Sequence, residues 1–270
     1  MTEQQAMDIA ASALDKAASL GCSDAEVGVR SGQGMSVTVR NSELETLEHH
    51  QDKSLNITVY RNGSKGSAGT TDFSTASLDE TVGAANDIAK QSEADKYAGL
   101  LEPEYLANDV PDLALHHIWE VDNDHLIRLA LECAASAKAV DKRIEHVDDS
   151  SVNYYRGLSA YANSNGFNNA YSASRYGISC VVVGSSDGAM QRGYWYTSAR
   201  DPSDLEDHEA VGRIAGERTV KKLDARKIPT EKAPVIFEAP VAAGLIGHFV
   251  SAISGSSLYR KASFLLDSKG

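Results

Sequence analysis

AEVGVRSGQGMSVTVRNSELETLEHHQDKSLNITVYRNG, residues 25–63, carries the pattern from which the architecture is read. Ala25, Val27 and Val29 alternate with more polar neighbours. So do Met35, Val37 and Val39, and then Leu55, Ile57 and Val59. A period of two places such residues on one side of an extended chain, so each run predicts a strand with one buried face. Gly32 and Gly34 predict a turn between the first two runs. Asn62-Gly63 predicts a tight hairpin, because both residues tolerate the positive φ that such turns need.

Helices are expected on either side of these strands. Thr2-Glu-Gln-Gln5 fits a capping box, Met7, Ala10, Leu14 and Ala17 follow at helical spacing, and Gly21 is placed to end the helix. Ser77-Leu-Asp-Glu80 fits a second box, opening a helix with Leu78, Val82, Ala85 and Ile88 on one side. Residues 93–112 are acidic, contain Pro103 and Pro111 and keep no period, so they predict a linker or a domain-crossing loop.

The same order then returns. Asp122 is placed to cap a helix whose face is Leu126, Ala130, Cys133, Ala137 and Val140. Strands are expected over 152–156 and along Ile178, Cys180 and Val182, with a hairpin at Asp187-Gly188. Ser203-Asp-Leu-Glu206 fits a third capping box before Val211, Ile214 and Ala215. The fold class expected is therefore α+β: two consecutive helix–antiparallel sheet–helix modules, then the start of a mostly β C-terminal domain. The expected domains are 1–112, 113–226 and 227–270, with a second linker over 225–234.

Composition excludes several classes. The net charge is −12, from 26 Lys and Arg against 38 Asp and Glu. That argues against a nucleic-acid or anionic-membrane binder, which needs a basic face. Cys22, Cys133 and Cys180 are far apart and form no C-x-x-C pair, so neither a disulfide framework nor a zinc knuckle is indicated. The N-terminal residues lack a basic stretch and a long apolar core, so no secretory signal is read there. The most apolar run, 241–253, is too short to span a bilayer. The compartment expected is the cytoplasm.

Residues 235–270 read VIFEAPVAAGLIGHFVSAISGSSLYRKASFLLDSKG. Val235, Ile236 and Phe237 predict a short buried strand. Pro240 suits the first turn of a helix, and 241–253 is apolar on nearly every side, which predicts a buried helix. Ala243, Gly247, Ser251 and Gly255 form a row of small side chains expected to let another element pack closely. His248 is the one ionisable group in that run. As a residue on a packed helix it reads as a buried, hydrogen-bonded imidazole. The other reading is a group facing a groove shared with substrate or partner. Ser254-Gly-Ser-Ser257 lacks the phosphate-loop pattern, so it reads as a connection, with Arg260 and Lys261 as partner contacts.

This stretch resembles the TldD/PmbA proteins, bacterial and archaeal two-subunit metallopeptidases, one of them formerly described as a modulator of DNA gyrase. It is similar to the PmbA (TldE) type of subunit. In the TldD type, a His-Glu-x-x-x-His motif after the same strand binds zinc. Laid on this chain by its last His, the motif falls on Ala243, Gly244, Leu245, Ile246, Gly247 and His248. The resemblance thus implies no zinc in this chain and no catalytic residue of its own. It implies a zinc-bearing TldD-type partner, a peptide or unfolded protein as substrate, and a chain that continues beyond Gly270.

One other stretch imitates the motif. His208-Glu-Ala-Val-Gly-Arg213 begins correctly, but Arg213 stands where the closing His belongs, and Gly212 stands where an i+4 His would. It reads as a solvated helix face. His49-His50 and His116-His117 are adjacent pairs, which point to opposite sides of a strand and make poor ligand sets. Two rivals stay open here: a self-sufficient zinc peptidase using His208 or residues after Gly270, and a non-enzymatic protein that regulates DNA gyrase.

Overall fold

A computed structural model describes residues 1–107 and 109–268. Residue 108, inside the expected linker, and residues 269–270 of the final stretch lie outside them. The chain divides into two compact units, Met1–Ala225 and Arg226–Gly270.

The first unit is built on one antiparallel sheet of six strands in the order β3-β2-β1-β4-β5-β6. The strands are β1 (Asp24–Arg40), β2 (Glu43–Arg61), β3 (Ser64–Thr70), β4 (Ile144–Asn163), β5 (Asn168–Ser186) and β6 (Ala189–Ala199). Helices α1 (Glu3–Ser19) and α2 (Thr75–Gln91) belong to the first half, α3 (Asn123–Lys138) and α4 (His208–Val220) to the second. The halves are joined because β1 pairs with β4 along nearly its whole length, from Glu26↔Asn163 to Val39↔Ser150. The two expected modules therefore share one continuous sheet.

Two cores lie on that sheet. Val27, Val29, Leu55, Ile57 and Val59 meet α1 and α2 in the first. Met35, Val37, Val39, Val152, Ile178 and Val182 meet α3 and α4 in the second. Residues 27, 29, 35, 37 and 39 share one parity, so β1 sends the same side into both cores. Among the described residues of this unit, all four α-helices pack on that side and none on the opposite one. Between the cores, at the waist of β1, Ser31 and Gln33 are less buried.

Several local expectations hold. Thr2 and Gln5 form the capping box of α1, and Gly21 takes φ +74 just past its end. Asn62-Gly63 and Asp187-Gly188 make the two hairpins with positive φ at both residues. Asp122 caps α3 by accepting from the His125 N–H.

Others are corrected. Gly32 and Gly34 do not make a turn, because β1 runs unbroken through them, paired on both sides. Their missing side chains serve close approach instead. A Cβ on Gly32 would lie 1.9 Å from the Tyr155 hydroxyl, and one on Gly34 would lie 2.5 Å from the Tyr154 carbonyl. Ser77 does not open α2. Ser74 caps it three residues earlier, with its own N–H and hydroxyl donating to Asp72. Ser203 lies in a one-turn 3-10 helix, Pro202–Asp204, and α4 is capped by Asp207. In both cases a nearer cap satisfies the first N–H groups of the helix, so the box pattern is not used.

The second unit contains α5 (Ala239–Ala252) and α6 (Gly255–Tyr259), with Pro240 in the first turn of α5 as expected. Residues 235–237 form no strand, since a strand needs a pairing neighbour and this unit holds none among the described residues. The helix expected to be buried exposes Val241, Leu245, Ile246, Phe249 and Val250, and Ala252 is its buried residue. The small-residue row meets nothing either: a Cβ built on Gly247 or Gly255 has open space around it. Apolar composition favours the helix, but burial also needs an element packed over it, and among the described residues of this unit none covers these side chains.

Asp141, between α3 and β4, accepts from the Arg143 guanidinium through both carboxylate oxygens, at 3.1 and 2.9 Å. The Arg143 side chain and backbone N–H hold its carboxyl at about 2 rather than 3.8. A carboxylate whose pKa is depressed on folding adds stability above its unfolded value and loses it as pH falls through the folded one. Asp141→Asn should therefore lower the thermal midpoint at neutral pH, with the difference from the parent shrinking between pH 3.8 and about 2. A gap that persists unchanged at the acid end would show that the substitution acts by another route.

Candidate functional site

His208 opens α4 at its first position, and the fold turns it inward toward α3. Its Nε2 lies 2.8 Å from Glu132 Oε2 and its Nδ1 lies 3.5 Å from Asp207 Oδ1. The side chain is 20% exposed, so the expected solvated face is corrected to a partly buried tie between two helices. Both ring nitrogens face carboxylates already. Arg213 pairs one turn on with Glu217 at 2.9 Å, not with His208. Gly212 has a packing role: a Cβ there would lie 2.0 Å from the Cys133 carbonyl oxygen. Thus the Gly of the imitation motif is where α4 crosses α3.

The residues expected to touch substrate or partner lie in the second unit. His248 is on α5 and exposed, with no hydrogen-bond or ion-pair partner among the described residues, which corrects the expected buried imidazole. Arg260 and Lys261 follow α6 and are exposed, Lys261 with φ +54. No hydrogen bond or ion pair joins them to His248 among the described residues.

The donor set does not fit zinc. Ala243 and Gly244 offer no side-chain donor beside His248. No group of three or more His, Cys, Asp or Glu residues that could hold a metal occurs among the described residues. His49 and His50 are exposed on β2. His117 Nδ1 faces Asp201 at 3.1 Å. Hydrogen bonds from the Ser203 side chain and backbone, and then the nearby His117, keep the Asp201 carboxyl below its usual range.

Cys133 and Cys180 are buried in the second core and share a hydrogen bond. That bond and burial push the Cys180 thiol up, which makes it a poor nucleophile.

Two clefts open at the waist of the sheet. On the helix-bearing side, about 390 Å³ is lined by Ser31, Gln33, Gln51, His116 and Arg156 among others. Arg156 stacks on Tyr154 at 4.9 Å, while its Nε is buried without an acceptor among the described residues. On the helix-free side, about 320 Å³ is lined by Arg30, Tyr155, Tyr171, Arg175 and Arg200 with smaller neighbours. Sequence reading missed both. The residues come from separate segments, and cross-strand register together with the chain flanking the strands brings them together.

Family models match along most of the chain: PmbA/TldA metallopeptidase domain 1 at residues 25–89, the central domain at 116–223 and the C-terminal domain at 230–270. Metalloprotease PmbA of Escherichia coli O157:H7 is 44% identical over 246 residues, which is 91% of this chain and 55% of that protein. A Metalloprotease PmbA homolog of Haemophilus influenzae is 39% identical over 268 residues, 99% of this chain and 59% of that one. The chain thus spans between half and two thirds of the length of these relatives.

Among solved structures, a proposed modulator of DNA gyrase from Bacteroides thetaiotaomicron has a TM-score of 0.89 at 27% identity, covering 96% of this chain and 60% of that one. TldE from Thermococcus kodakarensis has a TM-score of 0.75 at 18% identity over 95% of this chain and 57% of that one, a likeness of fold. Taken with the Ala-Gly-Leu-Ile-Gly-His run at 243–248, these matches show that the chain belongs to the PmbA/TldD metallopeptidase family, on its PmbA (TldE) side.

Proposed function

We propose that this chain is part of a PmbA (TldE)-type subunit that works in a two-subunit metallopeptidase on peptides or unfolded protein. The observation that carries the reading is the run at 243–248, where Ala and Gly occupy the positions of a ligand and a general base. A TldD-type partner would supply the zinc ion, its activated water and the base. This subunit would help to enclose the substrate. β6 is an edge of the sheet, and an extended peptide could add to it by main-chain pairing, which selects for disorder more than for sequence. His248, Arg260 and Lys261 are the contacts proposed toward substrate or partner. The three cysteines are free, in keeping with a reducing compartment, and we place the protein in the cytoplasm. No described helix is long and apolar enough to cross a membrane.

The test uses the full-length protein. Alone, it should not cleave an unfolded peptide; mixed with a homologue carrying the intact His-Glu-x-x-x-His motif, it should give cleavage. Turnover by the single purified subunit, abolished by a chelator, would sink the proposal. An effect on DNA supercoiling without any partner would favour the gyrase regulator instead.

A further inference from the structure

The helix-free side of the sheet concentrates positive charge in an acidic protein. Arg30 on β1, Arg175 on β5 and Arg200 after β6 line one cleft of about 320 Å³ with Tyr155 and Tyr171. Register explains the convergence: Arg30 pairs with Ser159, Ser159 with Tyr171, and Tyr155 with Arg175. Gly32, Gly34 and Gly157 leave room beneath the Tyr155 ring, whose hydroxyl donates to Asp52 at 3.2 Å. Two of the guanidiniums are held in place. Arg175 Nε donates to Ser198 Oγ at 3.1 Å, and Arg200 Nη1 donates to the Ser174 carbonyl at 3.4 Å.

None of these three arginines has a carboxylate partner among the described residues. Elsewhere Arg40, Arg143, Arg192 and Arg213 each have one, while Arg61 bonds to main-chain carbonyls and Asn86 and Arg128 to His125, so what distinguishes the cleft is that three such arginines line it together. In a chain of net charge −12, acidic partners are plentiful, so three unpaired cations in one cleft are not a matter of composition. Grouped like charges repel, and that cost is relieved when an anion enters. The guanidinium fork matches a carboxylate through two parallel hydrogen bonds, and tyrosine faces offer apolar contact for the rest of an extended chain.

We propose that this cleft binds the carboxylate of an acidic peptide segment. The inference does not depend on where the zinc resides, and stands or falls apart from the two-subunit reading. A fluorescently labelled, glutamate-rich peptide is the probe, with the 270-residue chain in low salt and anisotropy as the readout. Binding should weaken at least tenfold in the Arg30→Ala, Arg175→Ala, Arg200→Ala triple variant. It should weaken by less in Arg175→Lys with Arg200→Lys, which keeps the charge and loses the fork. Arg192→Ala, outside the cleft, should bind like the parent. Circular dichroism melts check that each variant is folded. Inorganic phosphate should displace the peptide no better than chloride of equal ionic strength. The proposal is overturned if the parent does not bind, if the folded triple variant binds equally, or if phosphate competes much better than chloride.

Discussion

Gly212→Ala should lower the thermal midpoint by roughly 4–8 °C, although alanine is the better helix former. The substitution gains about 1 kcal/mol of intrinsic helix propensity. Against that, the new Cβ would stand 2.0 Å from the Cys133 carbonyl oxygen and 3.2 Å from the Ala137 nitrogen, both backbone atoms of α3. Backbone cannot rotate aside as a side chain would. Gly216 repeats the contact one turn on, with its Cβ position 2.8 Å from the Ala137 carbonyl oxygen. The helices would have to separate, and α4 is also pressed against β6, where Gly193 leaves room for Thr219. Overpacking of this kind costs about 1–3 kcal/mol and occasionally more; against immovable backbone the cost sits at the upper end, about 3 kcal/mol, so the clash wins by about 2 kcal/mol. In a domain of this size, each kcal/mol moves the midpoint by roughly 2–4 °C. Gly247→Leu is the contrast. Its Cβ meets open space in these residues, so the same measurement on this chain should show little change. Equal losses for the two variants would contradict this account of where helices touch.

The second large effect concerns cooperativity. Leu126 is fully buried in the second core, and Leu126→Ala should cost about 2–5 kcal/mol. The two cores share β1 and β4, so the loss should be felt in both. Hydrogen exchange at β1 amides near Val27 and Val29, in the first core, should accelerate together with amides near Val37 and Val39. If the halves were separate domains, the first core would keep its protection. That outcome would restore a boundary near residue 112 as a thermodynamic one.

The sequence was legible where the signal is local. The Thr2–Gln5 capping box, the Asp122 cap and the two hairpins at Asn62-Gly63 and Asp187-Gly188 depend on a few adjacent residues, and the structure reproduces them. Alternation correctly marked the buried residues of β1, β2 and β5. It failed at the waist, where Ser31 and Gln33 leave both cores and the glycines imitate a turn. The β1–β4 pairing could not be read, since its partners are more than a hundred residues apart and strand register leaves no trace in a single sequence. The Ser77 and Ser203 boxes misled because Ser74 and Asp207 offered caps closer to the observed helix starts.

Burial was the least legible property. The α5 sequence dictates an apolar helix, but whether such a helix is buried depends on what packs over it, and the apolar run itself does not say. The row of small residues from Ala243 to Gly255 looked like a packing seam, whereas the close contacts between a helix and its neighbour fall at Gly66, Gly193, Gly212 and Gly216. For the candidate site, the proposal rests on Ala243 and Gly244, whose lack of side-chain donors a sequence displays directly. The arginine cleft was invisible for the opposite reason, because its parts meet only after the sheet has formed.

The claim at the centre of the proposed function is that this protein holds no zinc of its own. Elemental analysis of the purified full-length protein, without a partner, addresses it most directly. The predicted result is zinc far below one per chain, unchanged in His208→Ala. About one tightly bound zinc per chain would contradict the account, and its loss in His208→Ala would assign the metal to the α4 histidine.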